Sequence, residues 1–136
     1  MVFLRWDAKI YGVKVDEIDK QHEKLFDLIN RCFAASKEAV DKTRNLQLVD
    51  ELIAYTLTHF SDEEKYMTSI GYPGLMEHQF QHKGICKRVA ELKESVELKK
   101  GLIDTELMTF LKSLVKNHIL GHDAKYAIYG AKKRAA

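Results

Sequence analysis

The chain has 136 residues and a mass of 15.7 kDa, so we expect residues 1–136 to form a single domain. Hydrophobic residues make up 46% and charged residues 31%, which is typical of a globular protein and argues against a disordered chain. The 22 Lys and Arg nearly balance the 20 Asp and Glu, and no apolar run approaches the roughly 20 residues that cross a bilayer, so we expect neither nucleic-acid binding nor a membrane span.

Hydrophobic periodicity predicts four helices, and one proline with seven glycines leaves few points at which they could break. The predicted helices cover about residues 17–39, 44–69, 75–99 and 104–121. Short links, Gly71 to Gly74 and Lys99 to Gly101, join the second helix to the third and the third to the fourth. Because short links make neighbouring helices antiparallel, the sequence predicts an all-α fold, an up-down-up-down antiparallel four-helix bundle.

The two ends of the chain differ from this pattern. Residues 1–16 lack clear periodicity but contain Phe3, Trp6 and Tyr11, so we expect an N-terminal arm that packs across the bundle. The bundle itself should cover about residues 17–130. Residues 131–136 form a short basic tail that we expect to be a solvated end.

Histidines and carboxylates fall on the apolar stripes of the predicted helices. His59 and Glu63 are four residues apart, so they project from one helix face on successive turns, and His78 and His82 repeat the spacing. A single histidine at such a position is more often a hydrogen-bonded core or surface residue. Several in one core must satisfy one another, because buried polar groups need partners.

The register of the predicted hairpin gives an independent test. In an antiparallel pair, residues at equal depth have positions that sum to a constant. His59 with His82 and Glu63 with His78 share one sum, which places the turn beside Gly71. Matching His22 and the His118 region to the same depth places the other turns where loops are already predicted. The polar residues therefore lie at one level of the bundle.

The fourth helix leaves one ligand open on geometry alone. Asp123 follows His118 by five residues, so it needs a π-type turn or a helix end, which Gly121 could permit. His122 follows His118 by four residues and suits a regular helix better. Spacing does not choose between Asp123 and His122.

Five or six imidazoles with one or two carboxylates are too many ligands for one tetrahedral zinc. Imidazole suits iron, copper, nickel and zinc, and carboxylates can bridge two ions, so a dinuclear centre is the economical interpretation. No Glu-x-x-His occurs, which argues against the ferritin-like carboxylate bundles. No His-Glu-x-x-His occurs either, so zinc-peptidase chemistry is unsupported.

This ordered pattern resembles the hemerythrin family, specifically the single-domain bacterial hemerythrins. The matching motifs are a histidine in the first helix, then HxxxE, HxxxH and HxxxxD, and in this chain they are His22, His59 with Glu63, His78 with His82, and His118 with Asp123. The resemblance covers nearly the whole chain. The Trp6-Asp7 arm and the Gly71-Tyr72-Pro73 turn are also similar to the family.

The resemblance implies two iron ions per chain, bridged by Glu63, Asp123 and an oxo or hydroxo group. Three imidazoles would bind one iron, namely His78, His82 and His118. Two would bind the other, namely His22 and His59. The second iron then keeps an open position, where dioxygen would bind. The resemblance also selects Asp123 over His122, for which we expect a surface or supporting role.

A tight apolar pocket should protect bound dioxygen from water. Phe60 adjoins His59, and Val115 and Ile119 flank His118, so these three residues are candidates to line it. Plain core packing is at least as good an interpretation for each of them. Cys32 and Cys86 match no ligand of the family and are expected to be core residues.

The leading functional hypothesis is a reversible dioxygen-binding protein for carriage, storage or sensing, and not an enzyme. One alternative is a di-iron enzyme acting on peroxide, dioxygen or nitric oxide; another is an oxygen or redox sensor module of a signalling protein. With two cysteines, no CxxC and no signal peptide, we expect a cytoplasmic location and a standalone chain. The sequence identifies no protein partner.

Overall fold

Helices account for most of the computed structural model, which describes residues 3–136. In chain order they are α1 (Ala8–Tyr11), α2 (Asp16–Ser36), α3 (Lys42–Ser69), α4 (Leu75–Leu98), α5 (Thr105–Ser113), a π-helical segment (Leu114–Asp123) and α6 (Ala124–Ala135). The last three follow one another without a break and act as the fourth helix of the bundle. The predicted all-α four-helix bundle is confirmed. Within the described part of the chain, no helix is long and apolar enough to cross a membrane.

Side-chain caps and a glycine set the helix ends. Asp41 and Asp104 each accept a hydrogen bond, at 3.1 Å, from the backbone N–H three residues later, so each caps the helix that follows. Gly101 lies between α4 and α5 with a φ of 89°, and a Cβ there would lie 2.6 Å from the Cα of Lys42. Only glycine fits this turn without displacing the start of α3.

The core consists of two apolar clusters of unequal size. The larger contains Leu25 and Ile29 of α2 and continues through residues of α3, α4, α5 and the π-helical segment. The smaller is formed by Val13, Ile18, Met67 and Tyr126. Along α2, Ile18 of the small cluster comes before Leu25 of the large cluster. Along α3 the order is opposite, and residues of the large cluster come before Met67 of the small one. The residues between the two clusters lie at one level of the bundle.

The N-terminal arm lies against α2. The backbone N–H of Leu4 donates to Oδ1 of Asn30 at 2.8 Å, and Nδ2 of Asn30 donates back to the Leu4 carbonyl at 2.7 Å. The Trp6 ring meets the Phe26 ring edge-on, with centroids 5.4 Å apart. Residues 1 and 2 of the predicted arm lie outside the described residues.

The predicted end of the fourth helix near Gly121 is wrong. The chain stays helical through the π-helical segment and α6 to Ala135, because Gly121 lies inside a continuous hydrogen-bonded segment instead of ending it. The tail is exposed from residue 132 onward, as expected for a solvated end, and two of its side chains also reach back to the preceding helix hairpin. Lys133 Nζ donates to the Ile70 carbonyl at 2.5 Å, and Arg134 Nη1 donates to the Tyr66 hydroxyl at 3.2 Å. The last turn of the chain therefore covers the C-terminal end of α3.

Candidate metal centre

All seven side chains predicted as ligands lie together, buried, between the two apolar clusters. They are His22, His59, Glu63, His78, His82, His118 and Asp123. On α2, His22 follows Ile18 by one helical turn, and on α3, His59 precedes Met67 by two turns and Glu63 precedes it by one. Each helix thus turns its apolar face inward and places its polar residues at the same depth.

The π-helical segment brings Asp123, and not His122, to the converging side chains. Its i→i+5 hydrogen bonding turns the chain so that His118 and Asp123 share a face. Nε2 of His118 lies 3.2 Å from Oδ1 of Asp123. His122 is partly exposed and is not among the residues whose ligand atoms converge.

The converging atoms form two overlapping groups. One contains three imidazoles, from His78, His82 and His118. The other contains two, from His22 and His59. Glu63 and Asp123 belong to both groups, and within each group the ligand atoms lie within 4.8 Å of one another. Two positions for cations therefore share a pair of carboxylates.

The oxygens of Asp123 face opposite groups. Oδ2 lies 3.1 Å from Nε2 of His22, and Oδ1 lies 3.0 Å from Nε2 of His78. Glu63 behaves similarly: Oε2 lies 3.4 Å from Nε2 of His22, and Oε1 lies 3.2 Å from Nε2 of His82. Oε1 is also 3.5 Å from Nε2 of His59, so Glu63 divides its oxygens less cleanly than Asp123. This is the arrangement of two bridging carboxylates.

Unpaired polar atoms show that the residues fit metal ions. Glu63 Oε1, both Asp123 oxygens, and Nε2 of His22 and of His78 are buried without a hydrogen-bond partner in the described protein. Nε2 of His82 and Nε2 of His118 face each other at 3.1 Å. Burying so many unpaired polar atoms would cost several kcal/mol in total, at roughly 1–3 kcal/mol for each. Cations between the nitrogens and the carboxylate oxygens satisfy them together.

The electrostatics of the metal-free chain agree with this. Burial alone would lower the pKa of His22, but the nearby carboxylates of Asp123 and Glu63 outweigh it and raise the pKa to about 9. For His118, burial is likewise outweighed by the same two carboxylates, and the pKa rises to about 10. Burial would raise the pKa values of Glu63 and Asp123, but the surrounding imidazoles outweigh burial and lower both. The two carboxylates thus favour a positive charge on the imidazoles that face them.

Two imidazoles have fixed partners on their outer nitrogens. Nδ1 of His59 lies 2.7 Å from Oε1 of Gln21, and Nδ1 of His82 lies 2.7 Å from Oε2 of Glu64. Because these oxygens accept, the proton of each ring lies on Nδ1 and Nε2 is free to face the centre. Burial lowers the pKa of His59 to about 4, so this ring is neutral at pH 7.

These supporting residues were missed in the sequence, as was Tyr126. A usable signal was present: Gln21 and Glu64 are next to His22 and Glu63, and Tyr126 follows Asp123 by three residues, on the same helix face. Polar side chains so close to buried ligands are the natural sources of outer hydrogen bonds.

The three residues predicted to line a dioxygen pocket are all buried. Phe60 stacks on the His82 ring at 3.8 Å between centroids, with an interplanar angle of 5°. It also lines a groove of about 450 Å³ between α3 and α4. Val115 and Ile119 belong to the large apolar cluster. A pocket-lining role for these residues stays a prediction.

The two cysteines differ from each other. Cys32 is buried in the large cluster, as expected. The expectation that Cys86 is a core residue is wrong, because Cys86 is half-buried and lines the same groove as Phe60.

Comparison with known proteins agrees with the geometry. The family described as Hemerythrin HHE cation binding domain matches residues 13–127. Bacteriohemerythrin of Stenotrophomonas maltophilia is 32% identical over 127 residues, covering 93% of this chain and 81% of that protein. Bacteriohemerythrin of Clostridium acetobutylicum is 33% identical over 120 residues, covering 85% and 93%.

Solved structures show the same fold. A crystal structure of wild-type hemerythrin superposes with a TM-score of 0.84 at 25% identity, covering 92% of this chain and 95% of that chain. The family model matches most of this chain, and relatives are more than 30% identical to it, so this chain belongs to the hemerythrin family.

Proposed function

We propose that this protein binds dioxygen reversibly at a non-heme di-iron centre. The observation that carries the proposal is the pair of overlapping ligand groups, each of which includes both Glu63 and Asp123. A set of seven ligands exceeds what one ion needs, and imidazole with carboxylate suits iron. The names of the relatives, bacteriohemerythrin and myohemerythrin, support the same function.

In this proposal the larger group, which contains His78, His82 and His118, holds one iron. His22 and His59 would hold the other, and Glu63 and Asp123 would bridge the pair together with an oxo or hydroxo group. Five imidazoles shared as three and two would leave the second iron one ligand short, and dioxygen would bind at that open position. When bound, two ferrous ions supply the electrons that dioxygen takes up on binding and returns on release.

The chain's own residues make such a centre tolerable inside an apolar core. Two carboxylates offset much of the charge of two divalent ions, which lowers the cost of burying them. Neutral imidazoles add ligands without adding charge. The large cluster on one side and Ile18, Met67 and Tyr126 on the other exclude water from the level between them.

Binding without turnover is favoured over an enzyme because the buried hydroxyl beside the ligands is already engaged in a hydrogen bond. The Tyr126 hydroxyl donates to Glu63 at 2.6 Å. Burial, followed by the negative charges of Asp123 and Glu63, raises the pKa of Tyr126 well above its usual value, so the hydroxyl keeps its proton. It therefore suits a structural role on the carboxylate better than proton delivery to a substrate.

Two measurements test the proposal. Elemental analysis of protein expressed with iron should find two irons per chain; one metal per chain, or zinc alone, would contradict a di-iron centre. Iron-loaded protein should show no steady turnover of hydrogen peroxide or nitric oxide. Sustained turnover of either would favour the enzyme alternative.

For location, we propose the cytoplasm. Cys32 and Cys86 are both free thiols, which a reducing compartment preserves. Carriage, storage and sensing of dioxygen are all compatible with one such site, and the oxygen affinity in cells decides among them.

A further inference from the structure

The outer hydrogen bonds of the two ligand groups differ in charge. On α3, Nδ1 of His59 faces the amide oxygen of Gln21, whereas on α4, Nδ1 of His82 faces a carboxylate oxygen of Glu64, both at 2.7 Å. His59 belongs to the two-imidazole group and His82 to the three-imidazole group. The two candidate metal positions are thus supported by different chemistry at the same distance.

The orientation of Gln21 is fixed by a third residue. Nε2 of Gln21 donates to Oδ2 of Asp62 at 2.9 Å. An ionised carboxylate only accepts, so the amide nitrogen must point to Asp62 and the amide oxygen to His59. The partner of His59 is therefore a neutral acceptor.

Glu64 is held in a corresponding way. Nε2 of Gln79 donates to Oε1 of Glu64 at 3.2 Å, and Oε2 accepts from Nδ1 of His82. The side chain of Glu64 is 28% exposed and that of His82 is 3% exposed, so the charge lies at the edge of the buried site. In the described protein, Nδ1 of His22 and Nδ1 of His118 have no hydrogen-bond partner. Among the outer nitrogens that have a hydrogen-bond partner in the described protein, the contrast between the groups therefore rests on Glu64 and Gln21.

A carboxylate on the outer nitrogen of a metal-bound imidazole raises the basicity of the ligand more than a neutral amide does, because the hydrogen bond is charge-assisted. A more basic ligand favours the more highly charged state of the metal ion. We propose, on the basis of the di-iron function above, that Glu64 and Gln21 are positioning residues that make the two irons unequal. Glu64 favours the ferric state at the His82 position, and Gln21 favours return to the ferrous state at the His59 position, where dioxygen binds.

The chain offers a matched pair of variants. Glu64→Gln keeps the size and the accepting oxygen but removes the charge. The double variant Gln21→Glu/Asp62→Asn makes the opposite change at His59, where it replaces the neutral acceptor with a carboxylate. The asparagine nitrogen at position 62 can still donate a hydrogen bond to that carboxylate. Both variants keep an acceptor at His Nδ1, so a loss of fold is not expected from either.

Redox titration of the diferric protein should resolve two one-electron steps, the first at the His59 position. Glu64→Gln should raise the second, lower potential, and the Gln21→Glu/Asp62→Asn variant should lower the first. Both changes narrow the separation between the steps. An unchanged or wider separation in either variant with two irons bound would overturn the inference.

A second measurement needs no redox chemistry and covers the case in which a variant loses iron. Metal-free proteins titrated with Co²⁺ should show affinity at one site reduced about 10–100-fold by Glu64→Gln. The double variant should show tighter binding at the other site. Equal affinities in all three proteins would overturn the inference. If the unmodified protein itself holds fewer than two irons, the proposed function fails, which is a distinct outcome.

Discussion

The hydroxyl of Tyr126 donates a hydrogen bond of 2.6 Å to Oε2 of Glu63, and both residues are completely buried. Oε2 is also the oxygen of Glu63 that faces His22, at 3.4 Å. Tyr126 comes from α6 and Glu63 from α3, so this contact ties the last helix to the carboxylate shared by both ligand groups. It fixes how that carboxylate divides its oxygens.

Removing this hydroxyl should weaken both the fold and the centre. We expect Tyr126→Phe to lower the free energy of unfolding by about 2 kcal/mol, since a hydrogen bond to a charged group contributes roughly 1.5–3 kcal/mol. Iron should be released to a chelator faster than from the unmodified protein. Urea unfolding followed by circular dichroism, and iron release followed by chelator absorbance, measure the two effects.

Tyr129 provides the control. It contacts the Tyr72 ring at 5.6 Å between centroids, a contact that does not depend on its hydroxyl. Tyr129→Phe should leave both unfolding and iron release nearly unchanged. If the two variants behaved alike, the hydrogen bond to Glu63 would have no special role.

The sequence predicted most of this architecture because two independent signals agree, namely the helical spacing of the polar residues and the register of the predicted hairpin. Helical spacing placed His59 with Glu63 and His78 with His82, and the hairpin register placed those pairs at one depth. The end of the fourth helix was mispredicted near Gly121. The regular helical spacing of apolar residues is interrupted in the π-helical segment, and in the sequence this interruption looks the same as the end of a helix.

Contacts between distant parts of the chain were beyond reach of the sequence. Gln21 meets His59 across 38 residues, and Tyr126 meets Glu63 across 63. Such pairs depend on how each helix is rotated and shifted against its neighbour. The apolar stripes of the sequence define these positions too coarsely to pair individual polar side chains. The contacts of Lys133 and Arg134 with the end of α3 were missed for the same reason.

The choice of Asp123 over His122 can be tested directly. His122→Ala should leave two irons bound, because the His122 side chain is partly exposed and outside the converging groups. Asp123→Ala should lose iron, because Asp123 belongs to both groups. Elemental analysis of the two purified variants distinguishes them, and iron lost from the first but retained by the second would contradict the assignment.

Metal binding should release protons at neutral pH. With pKa values of about 9 and 10, His22 and His118 are protonated in the metal-free protein at pH 7.5 and must lose those protons to bind metal. His59, with a pKa of about 4, is already neutral and releases none. We expect release of about two protons per chain, and metal affinity that falls as pH decreases from about 9 to 7.

Calorimetric titration with Co²⁺ in two buffers of different protonation enthalpy measures this release. In His118→Gln, the release should decrease by about one proton, because one of the two raised groups is gone. Proton release near zero in the unmodified protein would show that the carboxylates do not hold these imidazoles protonated.

The predicted role of Ile119 in lining the dioxygen pocket can be tested with a conservative substitution. Ile119→Val removes one methylene beside His118 and should cost only about 0.5–1.5 kcal/mol of stability. If Ile119 lines the dioxygen pocket, water should enter and oxidation to the diferric form should accelerate without loss of iron. Decay of the oxygenated absorption band gives the rate of this oxidation.

Ile103→Val is the matched control. Ile103 is buried in the same apolar cluster but lies between α4 and α5. Equal decay rates in the two variants would show that Ile119 does not line the pocket.

The most direct test of the central claim is an oxygenation cycle followed by absorption spectroscopy. Anaerobic ferrous protein with two irons per chain is exposed to dioxygen, stripped of it under inert gas, and exposed again. Reversible binding predicts an absorption band that appears with dioxygen, disappears on stripping and returns at the second exposure with most of its intensity. Oxidation at the first exposure that stripping does not reverse, with both irons still bound, would contradict it.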